Sequence, residues 1–293
     1  MALKSAFLWG ATQTVIRMVL SFISIKVTAV FLGPAGLALT GQFGNFISLL
    51  QGVIGNAIQT GVVKLTAEAD GDRKRLMPLW STALKLSLWL SGSVAVIIGI
   101  AALPISTWLL KDARYWPVIV FAGVCLPFIV VGSLLMGVLN GLKKINLLGV
   151  VSIISTLLGA LIFIPLSYKF SIKGALVGTA LSSCGIFIVS LIVILRSNYL
   201  NVNDFFDTWN TPVARSLIAF YPMLLVHVVA ESSVPLLVRD AIVTAQGMAA
   251  SGFWQATLRL SDMYTQLLTT VLSMYLMPHL SSISSEKKNL EKN

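Results

Sequence analysis

Two long apolar runs, residues 5–31 and 38–66, constrain this chain more than any other feature. Each is long enough to cross a bilayer as a helix, which takes about 20 apolar residues. A tight, uncharged link, LGPAG at 32–36, joins them. The first run carries Arg17 near its middle, and a cation at that depth of a membrane is expensive to bury. The pattern therefore predicts two membrane helices that border a polar interior.

The rest of the chain continues this pattern. Of its 293 residues, 56% are hydrophobic and only 11% are charged, whereas a soluble domain has about 25% charged residues. This composition predicts an all-α, polytopic transmembrane bundle of about eight helices. We place them near residues 5–31, 38–66, 79–103, 116–140, 146–167, 173–195, 213–237 and 252–279. The first run is too long for a signal peptide and lacks a cleavage site, so we expect it to be retained.

A polar stretch divides the predicted helices unequally. We expect a first six-helix lobe at 1–197, a cytoplasmic linker at 198–212, an incomplete second lobe at 213–280 and a polar tail at 281–293. The segment LTGQF at 39–43 is echoed by ASGFW at 250–254. The helix pair after the linker would then repeat the first pair, as in transporters built from repeats.

Basic residues concentrate at one set of helix ends. Twelve Lys and Arg lie at the ends that share a side with both termini, and five lie opposite, at Lys111, Arg114, Lys169, Lys173 and Arg239. The positive-inside rule then predicts that both termini are cytoplasmic. The formal net charge of +10 is therefore interpreted as membrane orientation, not as a nucleic-acid-binding surface.

Polar residues form stripes along three predicted helices. On the first, Arg17 lies within about 60° of Gly10, Gln13, Thr14, Ser21, Ser24 and Thr28. The second has one face with Gly41, Asn45, Ser48, Gly52, Asn56 and Gln59, and the eighth has one with Gln255, Arg259, Asp262, Gln266, Thr269 and Ser273. Stripes of Ser and Thr alone are typical of helix packing. The ionisable residues of these stripes, together with Glu231 on the seventh helix, instead favour faces that line a lumen.

Motifs for catalysis and metal binding are absent from the sequence, with no Walker A loop, H-E-x-x-H, C-x-x-C or G-x-S-x-G. We therefore expect no enzyme activity, no cofactor and no metal. Cys125 and Cys184 fall inside predicted spans and are interpreted as packing groups, not a disulfide. The pairs Gly137/Gly141 and Gly174/Gly178 have the spacing of close helix packing.

Six short segments carry a family resemblance: FLGPAGL at 31–37, GVVK at 61–64, GALVG at 174–178, GFWQ at 252–255, LSDMY at 260–264 and YLMP at 275–278. They resemble the Wzx-type O-antigen and enterobacterial common antigen translocases. These are lipid-linked oligosaccharide flippases of the multidrug/oligosaccharidyl-lipid/polysaccharide exporter superfamily. Members have twelve helices in two lobes around a cationic cavity. The resemblance therefore implies a member truncated at its C-terminus.

The resemblance implies a function as well. It is the flipping of undecaprenyl-pyrophosphate-linked oligosaccharide units across the bacterial inner membrane for O-antigen or related surface polysaccharide. A polysaccharide polymerase and a chain-length regulator are implied partners. The alternatives are a drug or cation antiporter of the same superfamily, which predicts an acidic and aromatic cavity, and an inactive truncated membrane protein.

The expected site residues follow from the chemistry of that substrate. A pyrophosphate needs cations, for which Arg17, Lys26 and Arg259 are candidates. Sugar hydroxyls are matched by amides, and the candidates are Asn45, Asn56, Gln59, Gln255 and Gln266. Asp262 and Glu231 are candidates for coupling to an ion gradient, because carboxylates in membranes are common relay groups.

Overall fold

The computed structural model describes residues 2–69, 72–196, 202–205, 207–219 and 221–262, together with 264–265 and 268–269. Throughout these residues the regular structure is helical, which confirms the predicted all-α class. Four helical stretches are long and apolar enough to cross a membrane: Thr14–Glu68, Arg73–Ile100, Ala113–Gly141 and Ile145–Arg196.

The helices follow one another with short connections. In chain order they are α1 (Ala2–Gln51), a π-helical turn (Gly52–Asn56), α2 (Ala57–Glu68), α3 (Arg73–Ile100), α4 (Ala102–Leu109), a 3-10 turn (Ala113–Tyr115), α5 (Trp116–Gly141), α6 (Ile145–Arg196), a second 3-10 turn (Val202–Phe205), α7 (Thr211–Ala219), α8 (Tyr221–Gln246) and α9 (248–262).

Bends divide α1 and α6 into two arms each. Gly33 in α1 has φ 66° and ψ −173°, a conformation that is essentially restricted to glycine. Ser171 in α6 has φ 54°, and beyond it the second arm returns along the first. The Ser182 hydroxyl donates to the Gly159 carbonyl at 2.8 Å across these two arms. The bends lie between the helices predicted at 5–31 and 38–66 and between those at 146–167 and 173–195.

The end point predicted for the helix at 213–237 is wrong. The structure has α7 and then α8, which continues to Gln246 and ends before Gly247, with φ 85°. Arg239, predicted in a loop opposite the termini, instead lies within α8 and is fully buried. The next residue, Asp240, forms an ion pair with Lys111, 2.5 Å apart.

Small residues let the helices of the bundle approach closely. A Cβ atom at Gly141 on α5 would lie 2.6 Å from Thr66 Cβ on α2, and one at Gly137 would lie 3.1 Å from Gln59 Cγ. These contacts confirm the packing interpretation of this glycine pair. Cys125 and Cys184 are free and buried, also as predicted.

The described part of the segment predicted as a linker packs against α3. Arg73 donates to both carboxylate oxygens of Asp204 at 2.9 and 3.0 Å, and Phe205 stacks on Trp80 with ring centroids 5.6 Å apart. Farther along, the backbone N–H of Asn210 donates to the Thr82 hydroxyl at 3.0 Å. These contacts hold residues 204, 205 and 210 against α3.

The N-terminal half of α9 contacts α1 just after its bend. A Cβ atom at Gly252 would lie 2.0 Å from the Pro34 carbonyl oxygen, and one at Gly41 would lie 2.5 Å from Gln255 Cδ. The first of these contacts is with backbone, which cannot move aside as a side chain can. Gly252 therefore sets the distance between α9 and the α1 bend.

We expect Gly252→Ala to lower the thermal midpoint of the purified protein in detergent. The added methyl group must displace the backbone at Pro34, and overpacking of this kind costs about 1–3 kcal/mol. Gly44→Ala is the matched control, because a Cβ atom at Gly44 has no heavy atom within 4 Å. Equal thermal midpoints for the two variants would contradict the close contact between Gly252 and the Pro34 backbone.

Candidate functional site

A cavity of about 420 Å³ lies between α1, α6 and α9. Its charged lining residues are Arg17 from α1 and Arg259 from α9, and none of the described residues that line it is acidic. The Arg17 Nη2 group donates to the Ser152 hydroxyl of α6 at 3.2 Å, which places the guanidinium at the cavity wall. We call this space the cation cavity. Two guanidinium groups give it a positive potential suited to an anionic ligand.

Hydroxyl groups make up most of the polar wall of the cation cavity. They belong to Ser21, Ser24, Thr28, Thr40, Ser152, Ser155, Thr156, Thr179, Ser182 and Ser183. Several donate their single hydrogen to a carbonyl one helical turn earlier, as Thr28 does to Ser24 at 2.8 Å and Ser155 to Val151 at 2.6 Å. Those hydroxyls can then only accept a further hydrogen bond. The wall therefore suits a ligand that combines an anion with hydroxyl donors.

The two predicted cations Arg17 and Arg259 come together in this cavity although 242 positions separate them in the chain. Ser21, Ser24 and Thr28 of the predicted α1 stripe line it as well. The third candidate cation, Lys26, is exposed and lies outside the described lining.

Sequence reasoning missed the α6 wall of the cation cavity. Ser155, Thr156 and Gly159 lie three, four and seven residues after Ser152, and these helical spacings place them on one face. The stripe test applied to α1 would have found this face. The Gln51 side chain was missed too, and it lines the cavity while donating to the Ser133 hydroxyl at 3.0 Å.

A second cavity, of about 520 Å³, lies farther along the same long helix. It is lined by Asn56, Gln59, Thr60, Val63, Lys64, Asn140, Val228 and Glu231, and we call it the amide cavity. It brings together three sequence candidates, Asn56, Gln59 and Glu231, and adds Asn140 from α5. The same predicted stripe packs against α9 at Gly41 in α1 and against α8 at Gly52 in the π-helical turn, so it serves both packing and lining.

The remaining candidates lie elsewhere. Gln255 is 5% exposed and packs on Gly41 between α1 and α9, and Asn45 lies outside the lining of both cavities. Asp262 is exposed, and its carboxylate interacts electrostatically with Arg259 without forming a direct ion pair among the described residues. Gln266 lies outside the described residues.

Solved structures with a similar fold are membrane transporters. An inward-facing multidrug resistance transporter of the MATE family and MOP superfamily aligns with a TM-score of 0.69 and 17% identity over 89% of this chain and 63% of that one. A MOP superfamily transporter from Pyrococcus furiosus, described as having a binding pocket of reverse polarity, aligns with a TM-score of 0.67 and 15% identity over 93% of this chain and 62% of that one. At these identities the likeness concerns the fold, and the chain spans less than two thirds of either structure.

Curated relatives and a family model agree with that fold. The chain is 27% identical over 288 residues to the Lipid III flippases of Escherichia coli (strain K12) and Shigella flexneri, which is 98% of this chain and 69% of each relative. With its long apolar helices, the chain is a multi-pass membrane protein. A family model described as polysaccharide biosynthesis protein matches residues 27–293. Since that match takes in most of the sequence, the chain belongs to the polysaccharide biosynthesis protein family.

Proposed function

We propose that this protein flips undecaprenyl-pyrophosphate-linked oligosaccharide units across the bacterial inner membrane for O-antigen or related surface polysaccharide biosynthesis. The cation cavity is the observation that carries the proposal. Two guanidinium groups from different lobes, Arg17 and Arg259, line one hydroxyl-rich space. A pyrophosphate suits the guanidinium donors, and the hydroxyls of the attached sugar suit the acceptor wall.

The mechanism follows from the two-lobe origin of the cavity. Arg17 belongs to the first lobe and Arg259 to the second, so an anion held by both would hold the two lobes together. Rocking of one lobe against the other would expose that anion to each side in turn, as in transporters built from repeats. The prenyl chain would stay in the lipid, where it keeps its apolar surface out of water.

The proposal includes a membrane orientation and a division of the chain. We place both termini in the cytoplasm, the first lobe at 1–197, the linker at 198–212, the start of the second lobe at 213–280 and the tail at 281–293. The remaining cluster of cations opposite the termini, at Lys111, Arg114, Lys169 and Lys173, is smaller than the one on the terminal side. A polysaccharide polymerase and a chain-length regulator are proposed partners, and Asp262 and Glu231 remain candidates for ion coupling.

A drug or cation antiporter is less well supported. Such a protein needs carboxylates that face its cargo, and the described lining of the cation cavity has none. Its one aromatic lining residue is Phe163. The charge of the cavity therefore favours an anionic cargo.

Expression of this chain in an Escherichia coli strain that lacks its own Lipid III flippase tests the proposal. We expect surface polysaccharide to return, as detected by antibody on intact cells, together with binding of undecaprenyl pyrophosphate by the purified protein in nanodiscs. Resistance to cationic drugs should not change. Drug resistance without either polysaccharide or pyrophosphate binding would support the antiporter instead.

A further inference from the structure

We propose that the amide cavity is a saccharide subsite, separate from the cation cavity, which binds sugar units beyond the pyrophosphate. This inference rests on the proposed function and assigns a second part of the substrate to a second place. Three amide side chains, Asn56, Gln59 and Asn140, come from two different helices to line it. Its volume of about 520 Å³ falls in the range of ligand pockets, about 300–1,000 Å³.

The lining chemistry of this cavity differs from that of the cation cavity. Each amide presents both donors and an acceptor, and a sugar hydroxyl or acetamido group is itself both a donor and an acceptor. The hydroxyl wall of the cation cavity largely accepts hydrogen bonds, and its donors are the two guanidinium groups and the single Gln51 amide. Neutral polar groups therefore fit the amide cavity better than a phosphate does.

The charges of the amide cavity lead to the same ligand class. Lys64 and Glu231 both line it and carry opposite signs. The described lining therefore has no net charge, in contrast to that of the cation cavity, which has two arginines and no carboxylate among its described residues. Neither an anion nor a cation would gain much binding free energy in this cavity relative to water. A neutral sugar has no charge to remove from water, and its several polar groups can hydrogen-bond to the amides.

The distance between the two cavities suits a glycosyl pyrophosphate. Gln51 lines the cation cavity and Gln59 lines the amide cavity, and eight residues of helix span about 12 Å. Between them, a Cβ atom at Gly52 would lie 2.4 Å from Val228 Cγ1 of α8, so the two lobes touch there. The Tyr221 hydroxyl also donates to the Ile54 carbonyl of the π-helical turn at 3.1 Å. These contacts separate the two cavities, so one ligand would reach both when rocking of the lobes moves α8 away from the π-helical turn.

Binding of two probes to the protein in nanodiscs tests this assignment. The probes are undecaprenyl pyrophosphate and the same lipid carrying an N-acetylglucosamine disaccharide. We expect the wild type to bind the glycosylated probe at least about tenfold more tightly, because two or more hydrogen bonds are added. In the double variant Gln59→Met and Asn140→Leu, this preference should vanish while the affinity for the bare pyrophosphate stays unchanged.

Asn146→Leu is the matched control, since Asn146 is an exposed amide at the start of α6 outside both described linings. It should leave both affinities as in the wild type. Equal affinity of the wild type for the two probes, or an equal loss of both affinities in the double variant, would overturn the saccharide subsite alone. Failure of the wild type to bind either probe would overturn the proposed function and the subsite with it.

Discussion

Arg17→Ala is expected to abolish the return of surface polysaccharide in the flippase-deficient strain. Arg17 is one of two cations in the cation cavity, and its fork of donors matches phosphate oxygens. Loss of hydrogen bonds to a charged group costs about 1.5–3 kcal/mol, which is a fall of about ten- to 150-fold in affinity. Binding of undecaprenyl pyrophosphate to the variant in nanodiscs measures that fall directly.

Two further variants accompany the Arg17→Ala experiment. Arg17→Lys keeps the charge but loses the fork, so we expect an intermediate affinity. Lys173→Ala removes an exposed cation near the α6 bend, outside both described linings, and should bind like the wild type. The protein level and melting of Arg17→Ala should stay close to normal, since Ser152 is its hydrogen-bond acceptor in the cavity wall. Wild-type affinity of Arg17→Ala would remove this residue from the mechanism.

Arg239→Met should make the protein more stable. Arg239 is 0% exposed, and its Nε, Nη1 and Nη2 atoms have no hydrogen-bond partner within the described structure. Its guanidinium lies 5.7 Å from the centre of the Trp254 ring, a contact that contributes about 2 kcal/mol when desolvated. Burial of an uncompensated charge costs several kcal/mol, so the penalty exceeds the contact. Methionine fills much of the same space without a charge.

Thermal unfolding in detergent measures this gain. We expect the midpoint to rise by at least about 2 °C, since about 1 kcal/mol shifts it by about 2–4 °C in a domain of 150–250 residues. Arg215→Met is the matched control, because it makes the same replacement at an exposed position of α7 and should leave the midpoint unchanged. A lower midpoint for Arg239→Met would mean that this cation has a stabilising partner.

Local pattern was enough to predict much of this protein. Apolar length predicted the helical class, and the 100° rotation per residue predicted that Ser21, Ser24 and Thr28 share a face with Arg17. Both are properties of one helix and its surroundings, so no knowledge of neighbouring helices is needed. The link at 32–36 was predictable for the same reason, since the bend at Gly33 needs a residue without a side chain.

The grouping of those faces was decided only by the tertiary structure. Arg17 and Arg259 line one cavity because α9 packs against α1, with Gly252 at Pro34 and Gly41 at Gln255. The amide face of the same long helix lines another cavity, and Lys26 lines neither. Arg239 is buried within α8 because that helix continues past a charge pair whose acid, Asp240, binds Lys111. The grouping of faces into cavities depends on which helix surfaces pack together. The helical period of a sequence describes one surface and does not identify the neighbouring surface that packs against it.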